Sequence, residues 1–186
     1  MLYRAKEPGN SADPGEDQAH CGNFGPRKIR AETPSGSRFD DDGFAFVPLG
    51  RDRIILVAGR DHPLYGRGSI SAEEFASQPI ISREEGSGTG KTVREALAAC
   101  GIDPEGLKVR ARLGSNKGVK QAVIHGAGIS FLSELSVRQE LTRGDLAELN
   151  VPGLEIIRQF YLASRAGREL SPAANAFGKA LIEIYG

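Results

Sequence analysis

A glycine-rich turn near the middle of the chain carries the residues best suited to binding chemistry. Ser87, Gly88 and Thr89 lie in the run GSGTG, and the residues after it repeat their apolar positions at helical spacing. The free N–H groups at the start of a helix and the helix dipole both favour a bound anion. The hydroxyls of Ser87 and Thr89 can add hydrogen bonds to its charge. The turn therefore predicts a site for a small anion.

A second turn has the same character. Ser115 and Asn116 follow Gly114 and open another segment with helical periodicity, with Ser115 in the position of an N-cap. In open α/β sheets, ligands bind beyond the carboxyl ends of the strands, against helix N-termini. We therefore expect Ser115 and Asn116 to form a second wall of the cleft that Ser87, Gly88 and Thr89 line.

An enzyme that binds nucleotides is the competing interpretation. Gly90-Lys91-Thr92 resembles the end of a P-loop, but that motif requires a glycine at position 85, where this chain has Glu85. Gly86 is one residue too close to Gly90, and Glu85 would repel a phosphate. No strand ends in an aspartate for magnesium, and no serine lies in a G-x-S-x-G motif. The sequence thus predicts no enzyme, no catalytic residue and no cofactor.

Composition narrows the class of protein further. The chain has 186 residues, with 24 Lys plus Arg and 24 Asp plus Glu, and this neutrality argues against a dedicated nucleic-acid binder. No apolar run reaches the roughly 18 residues of a membrane span, and no secretory segment opens the chain. The cysteines Cys21 and Cys100 are far apart, which predicts no metal site. A cytoplasmic protein is favoured.

Strands and helices must alternate to position the two turns. Apolar runs predict strands at 54–58, 79–81, 108–113, 128–132, 146–151 and 155–163. Capping signals at Ser71, Ser115, Ser133 and Ser171 predict helix starts between these strands. Such alternation is typical of an α/β fold with a mostly parallel sheet.

The first 43 residues differ in composition from the rest. They contain only Leu2 and Ile29 from the set of isoleucine, leucine and valine, and show no period of 2 or 3.6. Such a segment buries too little apolar surface to offset the entropy of ordering it. The sequence therefore predicts disorder, or a segment unrelated to the domain, over residues 1–43, with the ordered domain covering 44–186.

Several short motifs across residues 44–186 resemble the effector-binding domain of LysR-type transcriptional regulators. In chain order they are Arg53-Ile54-Ile55-Leu56-Val57, Asp61-His62-Pro63-Leu64, Pro79-Ile80-Ile81, Arg83-Glu84-Glu85-Gly86-Ser87-Gly88-Thr89, Gly114-Ser115-Asn116, Gly126-Ala127-Gly128-Ile129-Ser130-Phe131-Leu132 and Ser171-Pro172-Ala173. Each motif alone is weakly specific, and the specificity comes from their order and spacing. The Arg-Glu-x-Gly-Ser-Gly-Thr motif is most similar to regulators of sulfur and selenium metabolism.

The resemblance implies a type 2 periplasmic-binding-protein-like fold, with two α/β lobes joined by two crossover strands near 49–57 and 157–163. It implies one complete lobe, the second, at about 58–156, and a partial first lobe. The family's DNA-binding domain has no match, so the resemblance implies a truncated regulator that reaches DNA only through a domain absent from this chain.

The implied function is sensing of a small anionic effector, a carboxylate or a sulfur-metabolism metabolite, in a chain that can form homo-oligomers. The alternatives are a solute-binding protein of the same fold and the P-loop-like enzyme. The first is disfavoured because no secretory segment opens the chain, and the second because the spacing of its glycines does not match a P-loop.

Overall fold

The computed structural model of the chain describes residues 29–33 and 43–185. Its strands are β1 (Ile29–Thr33), β2 (Phe44–Gly59), β3 (Ile80–Arg83), β4 (Val109–Leu113), β5 (Ser130–Ser133), β6 (Leu146–Leu149) and β7 (Leu154–Arg165). Its helices are α1 (Ala72–Ser77), α2 (Gly88–Ala99), α3 (Asn116–Ile124), α4 (Glu134–Arg143) and α5 (Pro172–Tyr185). The predicted alternation of strands and helices is present from β2 onward.

The strands of the second lobe lie side by side in mixed directions, in two sheets that an isolated bridge links. β3 pairs in parallel with β4, and a parallel bridge between Ile80 and Ile129 brings β3 beside β5. β2 runs antiparallel to both β5 and β6. The expected parallel arrangement therefore holds for β3, β4 and β5. The antiparallel strand is β2, which enters from the other lobe.

Two long strands connect the lobes. β2 and β7 are antiparallel from Phe44 opposite Arg165 to Ile54 opposite Ile156, with one register shift between Pro48 and Gly50. The first half of β2 is largely exposed, whereas its residues from Ile54 onward are buried. The burial of β2 therefore changes along its length, as expected for a strand that runs from one lobe into the other.

The core lies on both faces of the second-lobe sheet. One cluster joins Phe75 of α1 and Leu97 of α2 to Ile54, Leu56 and Ala58 of β2. The other joins Val119 of α3 and Val137 of α4 to Ile55 and Val57 of β2. Because successive strand residues point to opposite faces, the unbroken apolar run of β2 supplies both clusters.

A strand occurs inside the segment for which the sequence predicted no regular structure. Ile29–Thr33 forms β1, which pairs in parallel with Leu154–Arg158 of β7. Strand pairing uses backbone groups, so a short strand can form on an existing edge without any apolar periodicity of its own. The other residues of the predicted segment 1–43, apart from Gly43, lie outside the described residues.

Apolar surface remains exposed on the partial lobe. Phe177 and Ile184 of α5 are 65% and 69% exposed, and Phe44 and Val47 of β2 are each more than a third exposed. Within the described residues, no side chain of α5 is buried. Contiguous exposed apolar surface promotes association.

We therefore expect the purified chain to self-associate and to bind a dye that reports exposed apolar surface. The double variant Phe177→Glu, Ile184→Lys should reduce both effects, because it places charge on the exposed face. Light scattering with a dye-binding assay measures the outcome. A monodisperse wild-type monomer that binds no dye would contradict the expectation.

Candidate anion-binding site

The fold brings the two predicted turns to one end of the sheet. β3 and β4 are parallel neighbours, with Arg83 opposite Leu113, so the turns that follow them adjoin. The N–H of Glu84 donates to the carbonyl of Leu113 at 3.2 Å. The guanidinium of Arg83 donates to the Oδ1 of Asn116 and to the carbonyl of Gly114 at 3.4 Å. Arg83 thus bridges the two turns, a role that the sequence analysis missed.

The first turn begins α2 and leaves donors free. Ser87 is the N-cap, and its Oγ accepts a long hydrogen bond of 3.5 Å from the N–H of Gly90. Gly86 has a φ of 89°, a left-handed conformation in which glycine is favoured. Within the described part of the chain, the N–H groups of Gly88 and Thr89 have no acceptor. These are the donors that an anion at a helix start would use.

The second turn begins α3 in the expected way. Ser115 is the N-cap, and its Oγ accepts from the N–H of Gly118 at 3.0 Å. Its hydroxyl hydrogen stays available as a donor, because capping uses only a lone pair. Asn116 has its Oδ1 occupied by Arg83, which leaves its amide N–H groups for other partners. Both side chains are exposed.

Thr89 links α2 to the crossover strands. Ser87 is the cap of α2, and Thr89 lies inside the first turn of the helix. The Oγ1 of Thr89 accepts from Nη1 of Arg158 on β7 at 3.1 Å. Arg158 in turn pairs with Asp52 on β2, with Nε and Nη2 at 2.8 and 2.6 Å from Oδ2. Thr89 therefore joins α2 to both crossover strands.

Asp52 is held from its other side as well. Its side chain is completely buried, and its Oδ1 accepts from the hydroxyl of Ser133 at 3.0 Å. Ser133 begins α4 as predicted but makes no side-chain cap, because its hydroxyl goes to Asp52. The sequence signal for this pair was weak. Asp52 stands between Arg51 and Arg53, and Arg158 is followed by Gln159, so no local pattern singles out either residue.

Lys91 and Thr92, which resemble the end of a P-loop, make contacts within their own helix instead. Lys91 is exposed, with its Nζ 3.8 Å from a carboxylate oxygen of Glu95, four residues along the helix. The hydroxyl of Thr92 donates to the carbonyl of Gly88 at 3.0 Å, inside α2.

Two further features of the described chain bear on its class. Over residues 29–33 and 43–185, no three His, Cys, Asp or Glu side chains are grouped as metal ligands. Among the helices that the structure describes, none has the length and hydropathy needed to cross a membrane.

Two long crossover strands, with helix starts that follow parallel strands at one end of the sheet, are the architecture of type 2 periplasmic-binding-protein-like domains. The chain belongs to the LysR substrate binding domain family, whose model matches residues 29–185. The matched span begins at β1, earlier than residue 44, from which the sequence resemblance was drawn.

Curated relatives agree with this family. A RuBisCO operon transcriptional regulator of Acidithiobacillus ferrooxidans is 36% identical over 149 residues, which cover 80% of this chain and 46% of the relative. The HTH-type transcriptional activator CmpR of Synechocystis is 36% identical over 124 residues, 67% of this chain and 40% of CmpR. The chain thus spans less than half the length of these relatives. Their names give no support to a sulfur-metabolism subfamily.

Solved structures show the same fold. The CcmR regulatory domain of Synechocystis, in complex with 2-PG, has a TM-score of 0.69 and is 32% identical, covering 78% of this chain and 69% of that one. The effector-binding domain of QuiR, in complex with shikimate, has a TM-score of 0.67 and is 22% identical, covering 79% and 68%. The second likeness shows the fold alone.

Proposed function

We propose that this chain is the effector-sensing part of a LysR-type transcriptional regulator and that it binds a small anionic effector, with a carboxylate or phosphate group, at Ser87, Gly88 and Thr89. Ser115 and Asn116 form the second wall. The observation that carries the proposal is the pair of free N–H groups at Gly88 and Thr89, beside a second helix start. A helix N-terminus favours negative charge at this point.

The similar CcmR domain supports the choice of effector class, because its structure contains 2-PG and it is 32% identical to this chain. Effector binding would act by shifting the population of lobe arrangements. β2 and β7 are the hinge in this proposal, since both cross between the lobes. The change reaches DNA through a DNA-binding domain of a longer regulator or an associated chain, in the cytoplasm and in an oligomer.

Addition of 2-PG tests the proposal by thermal unfolding. At about 100 times the dissociation constant, a ligand stabilises the folded state by roughly 2.7 kcal/mol. That corresponds to a rise in melting temperature of several degrees, at about 2–4 °C per kcal/mol for a chain of this size. Sodium chloride at matched ionic strength controls for screening. A wild-type melting temperature that 2-PG leaves unchanged would refute binding of this ligand.

Thr89→Ala should remove most of that ligand-induced shift, because it deletes the hydroxyl that links the start of α2 to Arg158. The unliganded chain should lose only about 1 kcal/mol, the usual value of one hydrogen bond. Thr142→Ala is the matched control, since Thr142 is exposed on α4 and its hydroxyl donates to the carbonyl of Arg138 at 2.9 Å. If Thr89→Ala keeps the full ligand shift, the site lies elsewhere.

A further inference from the structure

We infer that Arg158 selects the effector by presenting two N–H groups to a carboxylate or phosphate, so that anions with paired oxygens bind in preference to monatomic ions. This inference rests on the proposed function and adds a residue from the crossover strand β7 to the predicted site. It follows from how the guanidinium is held, from its unused donors and from its position beside α2.

The guanidinium of Arg158 is held along one edge by Asp52 and covered on one face by Phe160. Asp52 holds Nε and Nη2 through Oδ2, at 2.8 and 2.6 Å. The Cζ of Arg158 lies 4.7 Å from the ring centre of Phe160, so an aromatic face covers one side of the plane. Only 13% of the Arg158 side chain is exposed. The group is therefore pre-organised, and little side-chain entropy remains to be lost when a ligand binds.

Donor counting shows what remains for a ligand. A guanidinium carries five N–H groups, one on Nε and two on each terminal nitrogen. Asp52 accepts from Nε and Nη2, and Thr89 accepts from Nη1 at 3.1 Å. One N–H on each terminal nitrogen then has no acceptor within the described residues. Two donors on one rigid plane match the two oxygens of a carboxylate or phosphate.

The position of Arg158 places these donors beside the start of α2. Thr89 is the contact, and its own N–H is one of the two unused backbone donors of that helix. Asp52 balances the charge of Arg158, so the pair attracts anions less through net charge than through directed hydrogen bonds. Such a site selects among anions by the shape of the anion and by the number of acceptor oxygens that the anion offers.

Arg158→Lys tests this directly. Lysine keeps a positive charge for Asp52 but lacks the planar pair of donors. Titration calorimetry with inorganic phosphate, acetate and chloride should show affinity for phosphate and acetate falling at least about tenfold, with chloride hardly affected. Arg53→Lys is the matched control. Arg53 is the neighbour of Asp52 in β2, so its side chain points to the opposite face, where it pairs with Glu134 and Glu148.

The outcomes separate the two proposals. If the wild type binds phosphate or acetate and Arg158→Lys binds them equally well, the role of Arg158 is refuted and the proposed function stands. An equal loss for chloride would refute selection by paired donors. If the wild type binds none of the three anions, the inference about Arg158 is refuted, and the proposed function is decided by the melting shift with 2-PG. Should Arg158→Lys not fold, the double variant Asp52→Asn, Arg158→Gln removes the charges together and is titrated instead.

Discussion

Asp52→Ala is expected to lower the free energy of unfolding by about 3–5 kcal/mol, the usual cost of removing one partner from a buried ion pair. Asp52 is fully buried, and Arg158 keeps only 13% of its side chain exposed, so water replaces little of the lost interaction. The hydroxyl of Ser133 also loses its acceptor. Urea unfolding, followed by circular dichroism, measures the change.

Two other variants make this result interpretable. Arg53→Ala removes an arginine from the adjacent position of β2, where its side chain is 41% exposed between Glu134 and Glu148. Exposed pairs contribute about 1 kcal/mol or less, so its effect should be much smaller. The double variant Asp52→Ala, Arg158→Met should recover part of the loss, because no buried charge is left unpaired. Equal losses for Asp52→Ala and Arg53→Ala would contradict the buried-pair argument.

Phe75→Ala should be comparably severe, with a loss of about 3–5 kcal/mol. Phe75 is completely buried on α1, and its ring meets that of Phe131 edge to face, with 5.6 Å between ring centres. Truncation removes the transfer free energy of the ring and leaves a cavity between α1 and the sheet. Chemical unfolding in urea gives the change in free energy directly.

The same substitution elsewhere in the chain serves as its control. Phe177→Ala truncates a phenylalanine that is 65% exposed on α5, so at a concentration at which the chain is monomeric we expect a change within about 0.5 kcal/mol. A loss at Phe177 as large as that at Phe75 would show that α5 is covered in solution, by a second copy or by another part of the chain.

Local signals in the sequence predicted most of the elements correctly. Ser71 was predicted to begin a helix, and its hydroxyl accepts from the N–H of Glu74 at 3.1 Å. Ser115 behaves in the same way at α3. These predictions succeeded because a cap involves residues only three positions apart, so the sequence contains both partners side by side. The anion site at these turns remains a prediction.

The strand β1 and the role of Ser133 could not be predicted in this way. β1 depends on an edge of β7 that lies more than a hundred residues further along the chain. Ser133 has the sequence of a cap, but its hydroxyl donates to Asp52, 81 positions away. In both cases the conformation or hydrogen bond depends on a partner far away in the sequence, and no local sequence pattern indicates that partner.

By itself, the sequence determined where the helices begin, which strands are buried and that two glycine-containing turns can present free N–H groups. Each of these depends on neighbours a few residues apart. Only the tertiary structure decided that Arg158 meets Asp52 across 106 positions and Thr89 across 69. A charged group needs a partner in order to be buried, and only the packing of β2, β7 and α2 determines which partner it meets.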